Sequence, residues 1–202
     1  METLGLSGPP PQKDSLFRRL LWPSADSVDA DILGQQGFWL CLILALGAGI
    51  ISAFQGHIVF GVLFGVFYFL CGIGIREHDV PAAIAAAAVY LVNIGMEILI
   101  ARHPPGWLTL LVALLLIANI RGCAIASRWA KAGDPDLIPI RLNQTWQEKL
   151  VDQMPAKVWP RFRVAFYVLS AMVFLLTLAD RIATVMHPHA PPSNSPSVIV
   201  KG

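Results

Sequence analysis

Glu97 is the residue that first invites a chemical reading, because it is the one acidic side chain set well inside a long apolar stretch. An ionisable group in such a position is by default a candidate for an ion or proton pathway. Asn93, one helical turn earlier, shares its face. Asp180 falls at a similar level of a later apolar stretch, with Arg102 and Arg181 close by. Two chemistries fit this set: a polar lining for transport, or a salt-bridge cluster at the rim of a helical bundle. Depth favours the rim, since Glu97 lies roughly 25 Å along its helix and so near a membrane surface. Arg121, in another apolar stretch, lies about 21 Å from the far end of its own helix. It is expected to snorkel to the nearer surface or to pair with Glu77, Asp79 or Asp31. The candidate polar site is therefore Asn93, Glu97, Arg102, Arg121 and Asp180, with structural anchoring ahead of transport.

Other chemistries lack their residues. A b-type haem needs axial ligands facing inward, but His57, His103, His187 and His189 fall at or beyond one surface and His78 at the other. The His187-Pro188-His189 pair offers a weak metal site at most, within what reads as a flexible tail. Cys41, Cys71 and Cys123 all lie in apolar stretches with no CxxC pair, and are expected to pack as small apolar groups instead of forming a shared metal or redox site. No Ser-His-Asp set, HExxH, phosphate loop or dinucleotide fingerprint appears. Hence no catalytic residue, cofactor or metal is expected, and no enzymatic activity.

The elements that must position these residues follow from composition. Of the 202 residues 55% are hydrophobic and only 14% charged, against about a quarter charged in a soluble domain, which argues against a water-soluble fold. The stretch from Gly37 to Ile75 would span about 58 Å as one helix, so it must fold back, and its one polar cluster is Gln55-Gly56-His57. That predicts crossings over 37–54 and 58–75. Further crossings are predicted over 81–101, opened by Pro81, over 107–127, and over 164–185. Lipid offers the backbone no hydrogen-bond partner and the apolarity does not alternate, so the fold class is all-α: a polytopic transmembrane helical bundle of about five crossings.

Residues 1–12, with Pro9-Pro10-Pro11, read as a disordered tail, and 13–36 as a cytoplasmic lead-in containing a short interfacial helix, Asp14 to Trp22. Residues 37–127 form a four-helix transmembrane bundle. Residues 128–163 form a cytoplasmic loop whose amphipathic helix carries Trp146, Leu150, Val151 and Met154 behind a Thr145/Glu148 capping box. The fifth helix follows, then a disordered exported tail over 186–202. A cleaved signal peptide fits poorly, so the first 36 residues are expected to be retained. With the amino terminus in the cytoplasm, twelve of the fifteen Lys and Arg lie on that side and only Arg102, Arg181 and Lys201 on the other. Trp22, Trp39, Trp107, Trp129 and Trp159 all fall at expected interfaces. The location implied is a multi-pass protein of the cell inner membrane.

Helix packing is what the sequence specifies best. Gly61 and Gly65 form a GxxxG pair, Gly72 continues that face, and the third crossing is alanine-rich from Ala82 to Ala88. The stretches Val89-Tyr90-Leu91-Val92-Asn93 and Ala118-Asn119-Ile120-Arg121-Gly122-Cys123-Ala124, followed by Arg128, resemble a pattern in a family of uncharacterised bacterial integral-membrane proteins. The resemblance covers residues 16–131 and implies a four-crossing bundle without an assigned activity, so the fifth crossing departs from it. The expected partners are the lipid bilayer and other membrane subunits or further copies of the chain, with no nucleic acid. The functional expectation is a non-catalytic accessory, assembly or scaffold subunit of a membrane complex. The alternative is a small oligomeric transporter or channel using Glu97, Asn93 and Asp180.

Overall fold

The computed structural model describes residues 27–101, 104–132 and 149–186. Among these residues the chain is almost wholly helical and has no strand. The elements are α1 (Ser27–Phe54), α2 (Ile58–Arg76), α3 (Val80–Ala101), α4 (Trp107–Ala132), a π-helical turn (Lys149–Gln153) and α5 (Met154–Met186). Each of α1 to α4, and the stretch from the π-helical turn into α5, is long and apolar enough to cross a membrane. This is the all-α architecture of a multi-pass membrane protein.

Helices α1 to α4 form a closed up-and-down bundle: α1 lies against α2 and α4, and α3 against α2 and α4. The fifth helix lies outside this ring, in the groove between α2 and α3. At the core, buried Phe38, Phe67, Ile73, Ile75, Val89 and Leu116 fill the space that small residues leave. A Cβ at Gly61 would stand 2.7 Å from Ser52 Cβ, and one at Gly72 3.2 Å from the carbonyl oxygen of Phe38. The Gly61, Gly65 and Gly72 face of α2 therefore sits backbone-close on α1, with Gly65 opposite Ala45 O.

Two tight turns reverse the chain by the same device. After α1, the amide of Gly56 donates to Ala53 O at 3.1 Å and that of His57 to Ser52 O at 2.8 Å, with Gly56 left-handed at φ 78°. This pair of bonds is the Schellman arrangement, which satisfies carbonyls that a helix end leaves open. After α2, the amides of His78 and Asp79 donate to Ile75 O and Gly74 O, both at 2.9 Å, and the left-handed position is His78 at φ 57°. A side chain is uncommon there, histidine being one of the better tolerated.

Several helix boundaries differ from the sequence expectation. The first helix begins at Ser27 instead of Gly37, because its early turns have their own packing partners: Leu33 is buried against Gly122 of α4. The fourth continues past residue 127 to Ala132, with Arg128 and Lys131 in its last turns where cations suit the helix dipole. The fifth begins at Met154, so residues 154–163 are not loop but its first turns. Trp159, expected at an interface, is buried instead against Gly74 of α2, which Ala82 of α3 also approaches, with Phe166 at a ring separation of 5.2 Å from it. That anchorage carries the helix through Pro160, whose missing amide removes one backbone bond on an exposed side. Residues 1–26, the Thr145/Glu148 capping pair, Arg102, His103 and residues 187–202 lie outside the described residues.

Candidate functional site

The buried charges of the described residues gather at one end of the bundle, where α1 starts, α2 turns into α3 and α5 begins. Arg76, the last residue of α2, is only 3% exposed. Its Nη1 donates to Asp31 Oδ1 at 2.6 Å and to the Asp31 carbonyl oxygen at 3.1 Å, while Nε donates to Asp152 Oδ1 at 2.8 Å. Nη2 also bonds Asp152 Oδ1. One guanidinium thus joins α1, α2 and the π-helical turn before α5. Its planar fork suits this task, since it offers donors in several fixed directions and stays protonated in proteins.

Asp79, three residues on, ties in the remaining elements. Its Oδ1 accepts the amide of Ala82 at 3.2 Å, capping the first turn of α3. Its Oδ2 accepts Tyr167 Oη at 3.1 Å and pairs with Arg163 Nη2 at 3.0 Å, both on α5. Arg163 Nε in turn donates to Tyr167 Oη at 2.7 Å, closing a triangle. The Schellman turn thus presents Arg76 and Asp79 to different neighbours, and a short turn of backbone sorts the two charges. His78, between them, lays its imidazole over Gly34: a Cβ at Gly34 would stand 3.1 Å from His78 Cε1 and 3.4 Å from Arg76 Nη1.

Beside this joint the Asn119–Gly122 stretch faces α1. Asn119 is buried, donates Nδ2 to Leu115 O at 2.8 Å, and sets Oδ1 where a Cβ on Gly37 would stand 2.5 Å away. Gly122 meets Leu33 in the same way, at 3.0 Å. Arg121 between them is half-buried. Of the acids considered for it, Asp31 pairs with Arg76 and Asp79 with Arg163. Cys123 Sγ donates to Ile75 O at 3.6 Å, and Cys41 and Cys71 are fully buried, all three as free thiols. Among the described residues no group of three His, Cys, Asp or Glu is arranged to hold a metal.

The residues chosen from the sequence stand differently. Asn93 donates Nδ2 to Val89 O of its own helix at 2.9 Å. Glu97 and Asp180 are exposed on α3 and α5, near the opposite end from Arg76, so neither is enclosed within the single bundle. Arg102 lies outside the described residues. The Arg76–Asp31–Asp152 joint was not foreseen, because each member sits at the edge of an apolar stretch and reads there as a solvated flank. The usable signal was topological: Asp31, Arg76, Asp79 and Asp152 must share one end of an up-and-down bundle. Comparison with protein-family models, with curated proteins and with solved structures finds no match to this chain.

Proposed function

We propose that this protein is a non-catalytic subunit that supports or assembles a larger membrane complex, with its amino terminus in the cytoplasm of a cell whose inner membrane it occupies. One observation carries the reading. The deeply buried guanidinium and carboxylates are committed to holding helices to one another, through Arg76 to Asp31 and Asp152 and through Asp79 to Tyr167 and Arg163. A joint centred on an arginine, which does not release its proton in proteins, positions elements and relays nothing. The transport alternative needs Glu97, Asn93 and Asp180 around a path formed between copies of the chain; within one chain Glu97 and Asp180 are exposed and Asn93 donates to Val89 O of its own helix. The orientation is supported by the Lys and Arg count on the two sides.

The experiment is purification in mild detergent, identification of co-purifying chains and an absorption spectrum. A defined membrane partner in fixed ratio is the expected result, and a haem band would overturn the reading. In liposomes the unmodified protein should show no pH-driven flux. A clear flux that Glu97→Gln abolishes, with the fold intact, would put the transporter in its place.

A further inference from the structure

The outer face of α5 carries a feature that helix packing does not explain. Trp159, Phe166, Val173 and Thr177 are buried and fix the inner face of the helix. Nine residues turn a helix through about 180° at ~100° per residue, so Lys157, Val164 and Val168 stand opposite Phe166, Val173 and Thr177. All three are exposed, Val164 at 75% and Val168 at 68%, and Leu175 continues the stripe at 63%. Arg161, one turn from Lys157 on the same side, is exposed too. One stripe therefore runs from two cations at the helix start to a row of apolar side chains.

The charges around it are sorted. Asp31, Asp79 and Asp152 are all occupied by Arg76 and Arg163. Among the described residues neither Lys157 nor Arg161 has an ion-pair partner, and Arg128, Lys131 and Lys149 are likewise exposed at this end. Among the described residues, Asp31, Asp79 and Asp152 are thus paired within the bundle while Lys157 and Arg161 are turned outward, which gives the stripe a cationic head although the whole chain carries a formal charge of only +2. The dimensions match one leaflet: Val164 to Met172 spans about 12 Å of helix, within the ~15 Å half-thickness of a hydrocarbon core. A guanidinium and an ammonium one turn apart offer a phosphate a forked and a point donor.

We propose that this stripe binds an anionic phospholipid, with the headgroup phosphate on Lys157 and Arg161 and an acyl chain along Val164, Val168 and Met172. The occupant is a lipid and not a soluble phosphate, because the cations are continuous with an apolar track. It is not a zwitterionic lipid, because no exposed acid on this stripe meets a choline.

The test titrates the detergent-purified protein with dioleoyl phosphatidylglycerol, and separately with dioleoyl phosphatidylcholine, counting bound lipid by native mass spectrometry. Phosphatidylglycerol should bind tighter than phosphatidylcholine. Lys157→Gln with Arg161→Gln should weaken it about thirtyfold, from roughly fivefold per cation near an anionic surface, and each single variant by about fivefold. Lys131→Gln with Lys149→Gln removes the same charge elsewhere and should leave the affinity unchanged. Glycerol 1-phosphate at the lipid's concentration should not compete. Equal affinity for the two lipids, equal loss in the control variant, or displacement by glycerol 1-phosphate would each overturn the assignment. The substituted side chains are exposed, so circular dichroism and elution volume should be unaltered; if the double variant departs from this, the single variants carry the test.

Discussion

A buried arginine shows how much context decides at the level of one residue. Arg76 ends an apolar run, and the residues after it are Glu77, His78 and Asp79, a string that by itself describes a wet loop. In the fold Arg76 is enclosed and serves two carboxylates on different elements. Breaking a buried ion pair by removing one partner costs about 3–5 kcal/mol, mostly because the other charge is left uncompensated. Arg76→Gln should therefore lower the midpoint of thermal unfolding sharply in detergent, whereas Arg76→Met with Asp152→Leu, which leaves only the partly exposed Asp31 without its partner, should recover part of the loss. Equal instability of the single and double variants would show that the joint does not bind these elements together. Asp31, being partly exposed, should contribute less, and Asp31→Asn should be milder than Asp152→Asn. The joint also takes up two of the acids considered for Arg121, since Asp31 pairs with Arg76 and Asp79 with Arg163.

At the scale of elements the glycines separate into two kinds that the sequence does not distinguish. Gly74 gives α5 its seat: a Cβ there would stand 2.5 Å from Ala82 Cβ and 2.6 Å from the Trp159 ring. Gly37 and Gly61 are similarly crowded, while Gly47 and Gly95 face open space in the single chain. Overpacking a filled interface costs about 1–3 kcal/mol, whereas replacing an uncrowded helical glycine by alanine gains about 0.5–1 kcal/mol. Gly74→Ala and Gly37→Ala should lower stability, and Gly47→Ala should be neutral or stabilising, as read by thermal unfolding in one detergent. Gly65, whose Cβ would meet Ala45 O at 3.4 Å, should accept alanine but not leucine. Loss of stability in Gly95→Ala equal to that in Gly74→Ala would mean that these contacts do not set the packing. If Gly95→Ala instead leaves the fold intact but dissociates a partner, the open glycine belongs to the interface the proposed function requires.

For the whole molecule, the joint and the basic surface lie at the same end, the one where α1 begins. The proposed orientation puts that end in the cytoplasm. A cysteine placed at Gln55, in the exposed turn at the opposite end, should react with a membrane-impermeant maleimide on intact cells. One placed at Lys149 should react only after permeabilisation. The native Cys41, Cys71 and Cys123 are buried and should stay silent in both conditions. Labelling of Lys149→Cys from outside would reverse the orientation, leaving the fold and the ionic joint as they are.

The number of crossings, the all-helical class and the places where the chain reverses were legible in the sequence because each follows from local rules. Long apolar runs must be helical in lipid, and Gln55-Gly56-His57 and Arg76-Glu77-His78-Asp79 interrupt them with polar residues. The helix ends were less legible, because the extensions to Ser27, Ala132 and Met154 rest on partners far away in sequence, such as Leu33 on Gly122 and Trp159 on Gly74. The ionic joint was legible only through the topology that brings Asp31, Arg76, Asp79 and Asp152 to one end of the bundle. Glu97 drew attention by standing alone in an apolar stretch, yet it faces outward. Arg76, Asp31, Asp79 and Asp152 gave no such sign, since burial of a charge depends on which opposite charges topology brings within hydrogen-bonding distance. That pairing spans 76 residues between Arg76 and Asp152, and a residue's flanking sequence determines the helix it stands on, whereas only the packed bundle determines which neighbours its charge will meet.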